Sequence, residues 1–321
     1  MIEIDKVLNT ILNESIELPK ILVQGLTNNS SKVKKGYIFF AFKGENNDGN
    51  DFIEDAFKNG ACLAITDSNK LESQKNVVKV EDVRIAAGIA CSNFYNFPQN
   101  KVKLIGITGT NGKTSTSTIL KSILDAKNEK TIQIGTSGIK PSIEINPGLT
   151  TPDIFDLYEI LNYAVNENYK NVILEVSSHA LSQRRIENIF FDITAFTNLT
   201  HDHLDYHETM DEYFSEKLKL FNLNKDNGSS VVMIDDEYGK RIAELNSNVK
   251  CISLKNEDAD YFCTSYSINS FGLAGTLAWD SETLDFESKL IGSFNLENLT
   301  LAASIAIELN ISAQSIAKGI E

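Results

Sequence analysis

Ile105-Gly106-Ile107-Thr108-Gly109-Thr110-Asn111-Gly112-Lys113-Thr114 is the stretch on which the reading of this chain turns. An apolar strand runs into a glycine-bearing loop, and a Lys-Thr pair then opens a helix. Glycines let backbone N–H groups close around phosphates, and a helix N-terminus adds positive potential. Lys113 can reach the β- and γ-phosphates and the Thr114 hydroxyl can hold Mg²⁺, so the stretch reads as an ATP-binding loop. The common spacing of such loops would put a glycine where Ile107 stands, so this one is a variant. The bland alternative is a strand–turn–helix with a surface lysine.

Outward from the loop, strand and helix alternate. Apolar runs predict strands at Lys103–Thr108, Thr131–Gly135, Val172–Val176, Ile193–Asn198 and Val231–Ile234. Helical spacing predicts Lys113–Ala126, Pro152–Asn166, Thr209–Asn222 and Glu237–Leu245, with Thr151 capping the second ahead of its proline. That rhythm belongs to an α/β, doubly wound, mostly parallel sheet. Short alternating runs between Ala259 and Lys289, turning at Phe271-Gly272 and Trp279–Glu282, predict β-hairpins. Helical patterning returns over Phe294–Leu309 and again from Ser312. Upstream lies a smaller α/β unit: a strand at Tyr37–Phe42, a polar loop Lys43–Asn50, a helix bearing Phe52, Ile53, Ala56 and Phe57, a strand at Ala61–Thr66 and a helix Glu81–Tyr95. Asn96–Asn100 reads as its stop and linker, dividing the chain at 1–98 and 99–321.

The 321 residues suit two domains at about 150 each. A chain 42% hydrophobic and 23% charged is not disordered. Its net charge of −14 argues against a general nucleic-acid binder, which neutralises phosphates with Lys and Arg. Anionic small molecules remain possible where local dipoles or a metal override the mean field. No apolar run is long enough for a bilayer, and Met1–Asp5 begins no secretory leader, so a soluble, cytoplasmic protein is expected. Cys62, Cys91, Cys251 and Cys263 form no C-x-x-C pair and read as reduced thiols.

Three further features bear on chemistry. Glu175 ends an apolar strand, where an acid can face phosphates and hold Mg²⁺, though a solvated strand-end glutamate looks the same. All four histidines fall between His179 and His207, three of them in Thr200–His207; their spacing fits no common zinc motif. Lys217 shares a helix face with Met210, Tyr213, Phe214, Leu218, Leu220 and Phe221. It either snorkels or pairs with an acid, or else loses its proton through desolvation and becomes an amine able to add CO₂ as a metal-binding carbamate.

Several segments together resemble the Mur ligases of bacterial cell-wall synthesis, and within them the branch that adds the third residue of the stem peptide. They are Thr108–Thr114, Thr150-Thr151-Pro152, Glu175–Leu181, Thr197–Leu199 with Asp202–His207, Tyr213-x-x-x-Lys217, and Gly292-x-Phe294-Asn295-x-x-Asn298. The resemblance covers essentially the whole chain. It implies a small N-terminal UDP-binding domain and a central ATPase domain. The implied activity is ATP-dependent addition of an amino acid to UDP-MurNAc-L-Ala-D-Glu through an acyl phosphate.

Position by position, the resemblance makes Gly109, Thr110, Asn111, Gly112, Lys113, Thr114 and Ser115 the ATP loop, with Asn295 and Asn298 also at the nucleotide. Metal ligands would be Thr114, Glu175, His203 and a carbamylated Lys217, with Lys113, Lys217 and His203 catalytic. Thr150, Thr151, Ser177, Gln183 and Arg185 would touch the muramoyl dipeptide, and Arg185 has the fork suited to a carboxylate or phosphate. Ser30, Glu45, Asn46 and Asn47 would touch the uridine diphosphate. Asn29-Ser30-Ser31 stands where the family usually shows Asp-Ser-Arg, and Leu149 where an asparagine is common. Nothing follows Glu321 for the family's third, amino-acid-recognising domain, so a two-domain fragment with little ligation of its own is expected. The rivals are a folylpolyglutamate synthase-like sister enzyme and a non-catalytic fragment that sequesters nucleotide or precursor.

Overall fold

A computed structural model describes residues 1–11, 20–44, 47–69, 76–145 and 148–321. The chain divides into two compact units, one of Met1–Asn100, Pro152–Asn162 and Arg184–Ile189, the other of the remaining residues.

The first unit opens with β1 (Ile2–Glu3) and the short helix α1 (Ile4–Val7); β1 pairs antiparallel with β2 (Leu22–Val23). A parallel sheet then orders β3 (Gly25–Thr27), β4 (Tyr37–Phe40), β5 (Ala61–Thr66) and β6 (Val77–Lys79) side by side. Helices α2 (Ile53–Lys58) and α3 (Val83–Phe94) complete it. Phe39, Ala41, Ile53, Ala56 and Ala64 close the core between β4, β5 and α2. β4 stops two residues short of the expected Phe42, because the chain turns there and Gly49 N donates to Phe42 O. Gly49 is required at that point: a Cβ would press on the backbone of Ala41 and Phe42.

The second unit is a ten-stranded sheet among the described residues. In chain order its elements are β7 (Lys103–Thr108), α4 (Lys113–Ala126), β8 (Thr131–Gly135), β9 (Gly138–Lys140), α5 (Ile154–Asn166, begun in the first unit), β10 (Asn171–Glu175), α6 (Ser178–Ser182), β11 (Phe191–Phe196), α7 (Met210–Leu218), β12 (Asn224–Met233), α8 (Glu237–Leu245), β13 (Val249–Ser253), β14 (Tyr261–Asn269), β15 (Gly272–Trp279), β16 (Glu282–Ser288), α9 (Ser293–Glu308) and α10 (Ala313–Ile320). The strand order is β16-β15-β14-β13-β12-β11-β7-β10-β8-β9. From β8 to β14 every pairing is parallel, while β9, β15 and β16 join antiparallel at the edges. Parallel strands buried on both faces are largely apolar, as in Leu104–Ile107 and Val172–Leu174, with Thr194 of Ile193–Phe196 paired to Ser230. α4 packs with α9 and α10, and Ile119, Leu120, Ile123, Leu299, Ala302 and Ile316 form that side of the core.

The structure shifts several boundaries. α5 starts at Ile154, and its cap is Asp153, whose Oδ1 accepts from Phe155 N (2.9 Å) and Asp156 N (3.0 Å). Thr151 is not the cap, because its hydroxyl is engaged at the end of β10 instead. The helix expected to reach Asn222 tightens into a 3₁₀ turn over Lys219–Leu223. The hairpins and both late helices are present. No helix among the described residues is long and apolar enough to cross a membrane. The four cysteines are free, Cys91 and Cys263 buried.

Candidate active site

β7 lies between β10 and β11, with β8 one strand further on. The chain leaves β7 to one side for β8 and returns on the other as β11, and ligands of such sheets bind where the strand order reverses, beyond the strands' carboxyl ends. Those ends carry Thr108-Gly109, Gly135-Thr136, Glu175 and Thr197.

Gly109 has φ +143°, and a Cβ there would strike the Thr197 hydroxyl. Gly112 has φ +87°, and its Cβ would strike Asn298 Oδ1. The loop is held from the next strand over: Thr110 N donates to Asn198 O (2.8 Å), Asn111 N to Asn198 Oδ1 (3.0 Å), and Thr197 Oγ1 to Asn111 O (2.6 Å). Lys113 Nζ folds back to donate to Gly109 O (2.9 Å) and Thr110 O (2.8 Å). Lys217 Nζ reaches the same Gly109 O at 2.8 Å and sits 4.4 Å over the Tyr213 ring.

Lys217 is 1% exposed. Burial drives its pKa well below the ordinary lysine value, the Lys113 charge adds to the drop, and Asp202 opposes it. Burial likewise lowers Lys113, against the pull of Glu175 and Asp202.

Glu175 is fully buried and met from two sides. Thr114 Oγ1 donates to its Oε2 (2.8 Å), Thr136 Oγ1 to the same oxygen (3.2 Å), and Ser117 Oγ to Oε1 (3.3 Å). No three His, Cys, Asp or Glu side chains gather to hold a metal among the described residues. Two oxygens, from a threonine and a carboxylate beside a phosphate loop, nevertheless fit Mg²⁺, which keeps waters and takes one or two protein ligands plus phosphate oxygens.

A family model described as the Mur ligase middle domain matches residues 107–306, and one described as the Mur ligase family, catalytic domain, matches residues 22–95. The chain belongs to the Mur ligase family. Among Mur ligases, proteins named UDP-N-acetylmuramoyl-L-alanyl-D-glutamate–2,6-diaminopimelate ligase from Fusobacterium nucleatum and Caldanaerobacter subterraneus are each 39% identical, over 92% and 94% of this chain. A solved structure with the same name has a TM-score of 0.85 at 26% identity, covering 99% of this chain and 66% of its own. The chain spans 61% and 63% of the lengths of those two curated relatives.

The remaining expected residues of this Mur ligase fall into two groups. In the second unit, Thr150 Oγ1 lies 3.3 Å from Thr136 Oγ1. Thr151 Oγ1 donates to Glu175 O (2.8 Å) and accepts from Ser177 N (3.1 Å). Ser177 caps α6, and Gln183 ends it. Asn298 Oδ1 accepts from Thr116 Oγ1 (3.3 Å), Asn295 sits one turn earlier, and Ser115 is half-buried in the first turn of α4. His203 is exposed, with φ +53°, and its ring lies 5.1 Å from His179 and 6.1 Å from Tyr213. His203 and Lys217 thus both flank Tyr213.

Ser30, Asn47 and Arg185 belong to the first unit. Ser30 opens a 3₁₀ turn capped by Asn29, and exposed Asn47 accepts from Gly44 N through its carbonyl. Glu45 and Asn46 lie outside the described residues.

Sequence reasoning missed Thr136, Ser117 and Asn198 as partners of the site. Thr136 follows a predicted strand end, the same placement that drew attention to Glu175, and that signal could have found it. Asn198 lay in the singled-out Thr197–Leu199 segment without an assigned role, and Ser117 gave no signal, because they act through folded neighbours 87 and 58 residues away.

Proposed function

We propose that this chain carries the acyl-phosphate-forming site of an ATP-dependent amide ligase acting on UDP-MurNAc-L-Ala-D-Glu. The relatives' names give 2,6-diaminopimelate as the added amino acid, and we take the same donor for the whole enzyme. The observation that carries this reading is the convergence of the phosphate-loop lysine, the buried Lys217 amine and the Thr114–Glu175 pair at neighbouring strand ends.

The D-glutamyl carboxylate attacks the γ-phosphorus, the bond to the β,γ-bridging oxygen breaks, and ADP leaves. The donor's amine then attacks the acyl carbon, phosphate departs, and the amine loses a proton. Phosphoryl transfer of this kind depends on positioning and charge neutralisation more than on covalent help from the protein. Lys113 swings from its backbone acceptors to the transferring phosphoryl, while the loop N–H groups hold the β-phosphate. Thr114 and Glu175 would hold Mg²⁺, which supplies charge neutralisation on the phosphates. His203 and Lys217 would hold a second ion, Lys217 as a carbamate formed when its neutral nitrogen adds to CO₂ and loses a proton. In the second unit Thr150, Thr151, Ser177 and Gln183 would contact the muramoyl dipeptide; in the first, Arg185 is assigned a dipeptide contact and Ser30 with residues 45–47 the uridine end. Asn295 and Asn298 line the nucleotide.

Calorimetric titration of Mg·ATP and of UDP-MurNAc-L-Ala-D-Glu into this chain tests the reading. Both are expected to bind at one site each. Scrambling of ¹⁸O between the β,γ-bridge and non-bridge positions of ATP, dependent on the dipeptide, would report the acyl phosphate without any amine donor. Absence of binding by the muramoyl dipeptide overturns the substrate assignment.

A further inference from the structure

Of the histidines that the proposed chemistry does not use, His207 is the one buried beside the site. His207 is 4% exposed, and its Nε2 lies 2.9 Å from the hydroxyl of Ser178, itself 2% exposed. Ser178 follows Ser177 at the start of α6, on the side of the site assigned to the peptide acid. The imidazole stacks on Tyr213, with centroids 5.1 Å apart and the planes 24° from parallel. Tyr213 in turn has its hydroxyl 3.2 Å from Thr110 Oγ1 in the phosphate loop and its ring under Lys217 Nζ. Backbone closes the arrangement, since His207 N donates to His203 O at 2.9 Å. All of these residues lie in one compact unit.

An imidazole buried this deeply costs free energy unless its polar atoms are paired, so an apolar ring would fill the same volume more cheaply. His207 differs from such a ring in one respect: its hydrogen bond ties α6 to the stack that supports the phosphate loop and Lys217. We propose that His207 is a positioning residue that holds Ser178 and Tyr213 in register and so couples binding of the peptide acid to binding of the nucleoside triphosphate. This rests on the substrate reading given above. When the acid settles against Ser177, α6 is fixed, and the Ser178–His207–Tyr213 chain fixes Thr110 with it. The second ligand then binds to groups already ordered, and coupling of this kind is reciprocal between the two sites.

The test measures the affinity of the chain for a non-hydrolysable Mg·ATP analogue, by calorimetry, with and without saturating UDP-MurNAc-L-Ala-D-Glu. In the unaltered chain the two affinities are expected to differ by on the order of tenfold. His207→Phe keeps the stack on Tyr213 but loses the bond to Ser178. It should bring the ratio to one while each ligand alone binds within about threefold of the original. Ser178→Ala removes the same bond from its other end, should give the same result, and carries the test if His207→Phe does not fold. Two outcomes overturn the inference while sparing the substrate reading: no coupling in an unaltered chain that binds both ligands, or coupling that survives both substitutions. If the unaltered chain binds neither ligand, both readings fall.

Discussion

Glu175 reports most directly on how this site is built, because its carboxylate is gripped from α4 and from the residue after β8. The close approach of Gly135 leaves no room there: a Cβ would collide with the Glu175 carboxylate. Gly135→Ala should therefore displace the carboxylate from Thr114 and weaken Mg·ATP binding by about tenfold, the loss of roughly one charge-assisted hydrogen bond. Calorimetry at fixed Mg²⁺ checks this, and unchanged affinity would remove Glu175 from the nucleotide site. Lys217 gives a second expectation. Its pKa is lowered in the folded chain, so holding it charged costs stability, fully below the lowered folded value and progressively less as the pH rises towards the unfolded value of about 10. Lys217→Met should therefore be more stable than the unaltered chain at pH 7 in urea melts, with the advantage shrinking as pH rises towards 10. The same substitution should reduce ¹⁸O scrambling by at least about a hundredfold if the residue belongs to the phosphoryl-transfer site. Lys217 was legible as a misplaced charge on an apolar face. Its acceptor, Gly109 O, lies 108 residues away, and no periodicity carries that information.

At the scale of elements, caps decide boundaries and hence where side chains arrive. Asp82 caps α3, accepting from Arg84 N (2.9 Å) and Ile85 N (3.0 Å), and pairs with Arg184 at 2.6 Å. Burial works to raise its pKa, but the Ile85 N–H and the Arg184 guanidinium outweigh it and hold the carboxyl below its usual value. Such a carboxylate stabilises the fold above its unfolded pKa of about 3.9, and that contribution is lost as the pH falls through the lower folded value. Asp82→Ala should thus cost about 1 kcal/mol at pH 7 and progressively less in acid, read from denaturant melts. Strands and helices of the second unit were legible because buried parallel strands are mostly apolar and the helices between them keep their own spacing. Thr151 was misread for a physical reason: a threonine before proline suits a cap, but the Glu175 carbonyl and the Ser177 N–H compete for the same hydroxyl and win. His207 stood out only as part of the histidine cluster; its partners sit on α6 and α7 and meet it only in the folded chain.

For the whole molecule, a net charge of −14 coexists with a loop that gathers two lysines on one carbonyl. Mean charge sets solubility and steering, whereas loop amides, a helix N-terminus and Mg²⁺ set phosphate affinity. Mg·ATP at about a hundred times its Kd should raise the stability of the chain by ~2.7 kcal/mol, and a chelator should erase most of the gain. A melting curve indifferent to nucleotide and metal would contradict the site. The expectation of two domains came from the change from a short α/β unit to long strand–helix alternation. That Pro152–Asn162 and Arg184–Ile189 group with the first hundred residues was not legible, because segments of one sequence neighbourhood are assigned to units only by their packing.

Gly109's oxygen accepts from two amines at once. On the proposed reading, nucleotide arrival would be a swap, in which Lys113 gives up the two backbone acceptors it now holds in exchange for phosphate oxygens. Selectivity among anions would then follow from reach rather than attraction: a short one such as free phosphate would have to offset both lost bonds with few contacts, whereas a triphosphate extending along the loop would offer more.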